Sequence, residues 1–125
     1  MRTPQSTLTQ QELAIMKVVW RLETATVRDV YEAMRETRQI AYTTVMTMMS
    51  ILEKKGYLNK ELVDRAHVFK PAKKRQQVVG AMVSDFVERV FDGATGSLLL
   101  QLAKDNKLTG KQKRIVKQLI EEIEE

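Results

Sequence analysis

Between residues 41 and 52 the chain runs for twelve positions without a charged side chain, and Thr43, Thr44, Thr47 and Ser50 place four hydroxyl groups there. A hydroxyl both donates and accepts a hydrogen bond, so these residues can match either kind of group on a polar surface. Steps of about 100° per residue along a helix put Thr43, Thr47, Ser50 and Lys54 on one face, with Met46 at its edge. Val45, Met48, Met49 and Leu52 fall opposite, at the i, i+3, i+4, i+7 spacing of a core stripe. A solvated face usually carries Glu, Lys and Gln, which form helices better than Thr. Three β-branched threonines in one short uncharged helix are locally unfavourable and need another reason. The major groove of DNA, about 12 Å wide, supplies one: hydroxyls pair with base edges there, and Thr or Met methyls pack on thymine methyls.

Other elements must hold such a helix by its apolar side. Thr9 and Glu12 fit a capping box opening a first helix, with Leu8 placed to staple onto Leu13. Leu13, Met16 and Trp20 then recur on one face, a core pattern. The pattern breaks around Glu23-Thr24-Ala25-Thr26. A second start follows at Thr26 with Asp29 three residues on, and Val27, Val30, Tyr31 and Met34 make a short amphipathic stripe. It fades over residues 35–40, where a turn is predicted. Gly56 is placed to end the third helix as the left-handed residue beyond it. Two short strands are predicted over 58–63 and 67–70, around an Asp64-Arg65-Ala66 tip, and Pro71 closes the unit.

From Lys73 the character changes. Val79, Met82, Val83, Phe86 and Val90 recur at helical spacing, with Gly80 a weak point. Residues 92–96 break the chain. A short apolar helix with Leu98, Leu99 and Leu102 follows. A last helix opens on a Thr109/Gln112 capping box and carries Ile115, Leu119 and Ile123, flanked by Val116 and Ile120. Residues 1–73 hold 12 basic and 8 acidic side chains, a net of +4, against 9 and 8, a net of +1, in 74–125. Three helices with wide apolar faces in about fifty residues rarely enclose a core alone and more often meet a second chain. The expected division is therefore 1–73 for DNA binding and 74–125 for α-helical dimerisation.

The totals agree with this plan. A 125-residue chain with 43% hydrophobic residues has enough for a core, and a net charge of +5 favours a polyanionic partner, nucleic acid or a membrane surface. No cysteine is present. That excludes disulfides, thiolate metal sites and cysteine nucleophiles, and fits a reducing compartment. The beginning of the sequence lacks the apolar run of a signal peptide, and no stretch approaches the length of a membrane span. The expectation is a cytoplasmic protein without membrane insertion. His67, the single histidine, reads as a surface residue or phosphate neighbour, since a metal site needs partners it lacks. No Ser-His-Asp set, Gly-rich phosphate loop or paired-carboxylate motif stands out, so neither enzymatic activity nor a cofactor or metal is expected.

The order of helix, helix, turn, uncharged-faced helix and two strands is that of a winged helix-turn-helix, giving a mainly α fold with a small antiparallel wing. Arg28, Lys54, Lys55 and Arg65 lie at the margins of the uncharged face, where phosphates run. The segments LTQQELAIMKVVW, TVRDVYEAM, AYTTVMTMMSILEKKGYL and DRAHVFKP resemble the penicillinase and methicillin-resistance repressor (BlaI/MecI) family. The D-G-x-x-G-S-L stretch and the closing LTGKQKRIVKQLIEE are similar to that family's dimerisation region. The resemblance covers nearly the whole chain. It implies a homodimer that binds a dyad operator and blocks transcription of resistance or self-regulated genes. By position it makes Thr43, Thr44, Met46 and Thr47 base-facing and Arg65 the wing-tip basic residue. Tyr42 joins Arg28, Ser50 and Lys54 in completing the candidate DNA-binding set. Members induced by β-lactams are cut by a membrane sensor protease at an Asn-Phe pair. The corresponding place here is Gln101-Leu102, so this chain departs from the pattern, and that protease is a partner by resemblance only. Copper-responsive relatives bind metal through C-terminal cysteines, which this chain lacks. Two other readings stay open: a winged helix used for protein contacts, and a sequence-neutral DNA binder acting through charge alone.

Overall fold

The computed structural model describes residues 8–105 and 108–124, apart from the side chains of residues 119, 120 and 122–124. The chain divides into two compact units, residues 1–78 and 79–125. The first holds helices α1 (Gln10–Leu22), α2 (Val27–Met34) and α3 (Tyr42–Lys54), strands β1 (Leu58–Val63) and β2 (Ala66–Pro71), and the first turn of α4 (Arg75–Phe91). The second holds the rest of α4 with α5 (Thr95–Lys104) and α6 (Gly110–Glu124). The fold is mainly α: a winged helix-turn-helix followed by three further helices.

Both opening helices start as their sequences dictate. The Thr9 hydroxyl accepts from the Glu12 amide at 3.1 Å and the Glu12 carboxylate accepts from the Thr9 amide at 2.8 Å. Thr26 and Asp29 repeat the reciprocal pair at 3.1 and 2.9 Å. Each box satisfies two amides that a helix start otherwise leaves unpaired.

The core of this unit gathers Ile15, Met16 and Val19 from α1, Val30 and Met34 from α2, Val45, Met49 and Leu52 from α3, and Leu58 and Phe69 from the wing. The stripe expected on α1 is displaced: Met16 is buried, but Leu13 and Trp20 are half-buried, while Ile15, Val18 and Val19 are enclosed. The cause is that α1 packs against α2, α3 and β2 together, so its buried face is wider than one stripe and centred elsewhere. Trp20 sits at the margin, where its indole Nε1 donates to the Lys73 carbonyl at 2.9 Å.

The wing is an antiparallel pair running in register from Leu58↔Pro71 to Val63↔Ala66. Only Asp64 and Arg65 form the turn, both with positive φ (48° and 69°), as a type I′ hairpin loop requires. The three-residue tip read from the sequence is one residue too long, because a I′ loop leaves Ala66 paired with Val63 at the start of β2. The break at residues 23–26 is also more than a turn. The Ala25 amide donates to the Phe69 carbonyl at 3.0 Å and the Ala25 carbonyl accepts from the Phe69 amide at 2.8 Å, so the α1–α2 link adds a one-residue third strand to the wing.

In the second unit α4 ends at Asp92 and Gly93, both in the left-handed region (φ 51° and 83°). The Gly93 amide donates back to the Val87 carbonyl at 3.1 Å, satisfying a carbonyl of the last turn. The Thr109/Gln112 box forms at 3.2 and 2.9 Å ahead of α6, which packs on α5. The division between units falls inside α4, after Val78, whereas the sequence alone suggested 73/74. Val78 is buried and grouped with the first unit, so the first turn of α4 belongs there. Among the described residues no helix is long and apolar enough to cross a membrane.

Candidate nucleic-acid interface

Helix α3 is anchored by Val45, Met49 and Leu52, all fully buried; Met48 is half-buried beside them. On the other side Thr43, Thr44, Met46, Thr47 and Lys54 are exposed and Ser50 is half-buried. The surface is therefore uncharged until its last turn and bears short side chains. Ile51, four residues beyond Thr47, is exposed on the same side. The sequence reading missed it because an isoleucine counts as a core residue by type; its position off the core stripe was the available signal.

Tyr42, the first residue of α3, is exposed, and its ring meets that of Tyr31 edge-on at 5.5 Å between centroids and 74° between planes. Tyr31 is half-buried, not part of the enclosed α2 stripe, which consists of Val30 and Met34. Arg28 is exposed in the first turn of α2, and Arg65 is exposed at the wing tip. His67 is exposed on β2 opposite Leu62. Elsewhere on the wing, Lys60 lies 3.8 Å from Glu53 and Lys70 lies 3.5 Å from Glu61. Those pairs offset two wing lysines and leave Arg65 as the tip's cation.

One margin residue does something else. Lys55 turns inward, and its Nζ donates to both oxygens of Glu12 at 2.9 and 3.1 Å. Glu12 is only 4% exposed. Burial pushes its carboxyl pKa up, but the Thr9 amide and the Lys55 ammonium outweigh that and hold it below its ordinary value. Burial likewise raises the Tyr57 phenol. Lys54 remains the exposed cation at the end of α3.

In the second unit, Val83, Phe86 and Val90 of α4 are 49%, 41% and 54% exposed, and Ile115 of α6 is exposed as well. Val79, Met82, Leu98, Leu99 and Leu102 are half-buried. The side chains of Leu119 and Ile123 lie outside the described residues. Val87, not singled out from the sequence, is the buried residue of this part of α4. Gln101 and Leu102 lie within α5, and the Gln101 amide donates to Asp105 at 3.2 Å. A protease acting there would first have to unwind that turn. Among the described residues, no group of three or more His, Asp or Glu could hold a metal ion.

Three helices, the last presenting an uncharged face, with a hairpin stitched to the first interhelical link, define a winged helix-turn-helix protein. The model of the penicillinase repressor family matches residues 8–122, and the chain belongs to that family. It is 38% identical over 85 residues to the transcriptional regulator BlaI of Mycobacterium tuberculosis, a match covering 67% of this chain and 62% of that relative's length. The penicillinase repressor of Bacillus licheniformis is 26% identical over 115 residues, covering 92% of this chain and 90% of the relative. Among solved structures, the solution structure of the monomeric form of Bacillus licheniformis BlaI in complex with the blaP half-operator matches with a TM-score of 0.51. That match has 28% sequence identity and covers 56% of this chain and 85% of the other.

Proposed function

We propose that this protein is a sequence-specific transcriptional repressor that binds a dyad DNA operator as a homodimer. The observation that carries this reading is the outward face of α3, hydroxyl- and methyl-bearing and free of charge until its last turn, backed by three fully buried anchors. A 28% identical relative described in complex with a half-operator supports it. Thr43, Thr44, Met46, Thr47 and Ser50 read base edges, while Tyr42, Arg28, Lys54 and Arg65 hold the phosphate backbone. The second unit joins two copies through the exposed residues of α4 and α6, so two recognition helices meet half-sites related by the dyad. Promoter occlusion then represses transcription, in the cytoplasm where the DNA lies.

Footprinting on the DNA upstream of the protein's own gene, at physiological salt, tests the reading. Protection over a dyad with both half-sites on one face of the duplex is expected. Uniform protection of any sequence would instead establish a charge-driven, sequence-neutral binder.

Two variants probe the parts. Arg65→Ala is expected to weaken binding to every duplex by a similar factor and to lower the salt slope by about one; fluorescence anisotropy over a salt series measures both. A loss confined to one base position would contradict the phosphate role. Phe86→Asp puts a carboxylate into the face proposed to be covered by the second copy, and sedimentation is expected to show monomers. A persistent dimer would move the interface elsewhere.

A further inference from the structure

Helix α3 starts differently from α1, α2 and α6, whose first turns are each fixed by a Thr and its partner three residues on. The residue before α3 is Ala41, which has no side-chain cap bond. What meets the first residue of α3 is an aromatic contact. Tyr42 packs edge-on against Tyr31, and the Arg35 guanidinium stands 5.6 Å from the centre of the Tyr31 ring. Arg35 in turn lies 3.6 Å from Glu32, one turn back on α2. Glu32, Arg35, Tyr31 and Tyr42 thus form a continuous lateral row across the helix-turn-helix, ending beside Thr43 and Thr44.

We infer that Tyr31 is a positioning residue for DNA reading: through its ring contact it sets the orientation of Tyr42, whose phenol holds a backbone phosphate and thereby the register of α3 in the groove. This rests on the repressor reading above. The geometry fits the task. An edge-on pair favours one relative ring orientation over others, which a greasy contact between aliphatic side chains does not. The Arg35 cation over the Tyr31 ring adds a second restraint on that ring. Tyr42 keeps an exposed side next to the base-facing threonines, and a phenol is among the groups that hold phosphates without reading sequence. Phosphate contacts fix register, and register decides which bases Thr43 and Thr47 meet. Tyr31 therefore influences specificity without touching DNA.

The test uses the full chain and a pool of random DNA duplexes, from which wild-type protein selects its preferred site. Affinity for that site is then measured for Tyr31→Leu, Tyr31→Phe, Tyr42→Ala and the double variant Tyr31→Leu/Tyr42→Ala. Thermal melts monitor folding of each. Tyr31→Leu is expected to lose roughly two- to tenfold in affinity and to blur base preference opposite Thr43, while melting with the Tyr31→Phe protein. Tyr31→Phe, which keeps the ring edge, is expected to restore both. The double variant is expected to bind no worse than Tyr42→Ala alone, because the two residues act as one unit. Independent, additive losses would overturn the inference while leaving the repressor reading intact. A wild-type protein that selects no sequence would overturn both.

Discussion

Thr47→Glu is expected to leave the protein folded and to lower its affinity for the preferred operator by at least about a hundredfold. Thr47 is exposed at the middle of the α3 face, and Glu is a better helix former than Thr, so nothing in the fold opposes the change. The cost appears only on binding. In the proposed complex a carboxylate there faces a groove whose edges are rich in acceptors and whose walls are phosphates, and such like-charge juxtaposition costs several kcal/mol. Anisotropy against the selected duplex, with circular dichroism melts alongside, separates the two effects. Thr47→Ser keeps the hydroxyl and drops the methyl, so a loss of about tenfold or less is expected. Wild-type affinity in the Glu variant would show that α3 does not read DNA, and would favour a winged helix devoted to protein contacts.

The largest effect on stability is expected from Glu12→Ala. One carboxylate closes the α1 capping box and also pairs with Lys55 at the far end of α3, tying the start of one helix to the end of another. Its removal leaves the Thr9 amide without its partner and a mostly enclosed ammonium without its counter-charge, at a cost of about 3 kcal/mol. Against a domain stability of about 5–15 kcal/mol that is a large fraction. Urea titrations at neutral pH measure it. A difference below about 1 kcal/mol would show the pair to be dispensable.

The same pair carries a pH signature. The Glu12 pKa is lowered by folding, so its contribution is fully present above the ordinary carboxylate value of 4.5 and is lost as pH falls through the lower folded value. Wild-type stability should therefore decline on acidification through that window. Glu12→Gln should decline less steeply, since it has no proton to take up.

Most of the architecture was legible because it rests on local signals. Both capping boxes at Thr9 and Thr26, the core stripe of α3 and the stop at Gly56 are patterns within a few residues of chain. What escaped was non-local. Nothing near Lys55 signals that its partner is Glu12, 43 positions away, so it read as one more surface cation. Tyr31 read as core because it shares the period of Val30 and Met34, although its ring is spent sideways on Tyr42. The pairing of Ala25 with Phe69 had no sequence signal, since a single alanine between two helices carries no period. On the candidate interface, residue type agreed with the exposure of the α3 threonines and misled the reading for Ile51. The exposed α4 residues were found by spacing alone. Spacing shows that a face is apolar, but not whether the same chain covers it.

The Ala25–Phe69 bridge gives the wing the mechanics of a short lever. Two hydrogen bonds fasten it at its base, and beyond Phe69 the hairpin pairs only with itself until the turn. At about 3.4 Å per residue, the three steps along the strand from Phe69 to Ala66 make an arm of about 10 Å. A tilt of about ten degrees at the base would carry the tip nearly 2 Å, on the order of half a hydrogen bond's reach. The aim of Arg65 is thus tied in part to residue 25, in a link only four residues long between α1 and α2, alongside the core packing of Leu58 and Phe69. Among members of the family, an insertion or deletion in that link would re-aim the wing without altering a single residue on it.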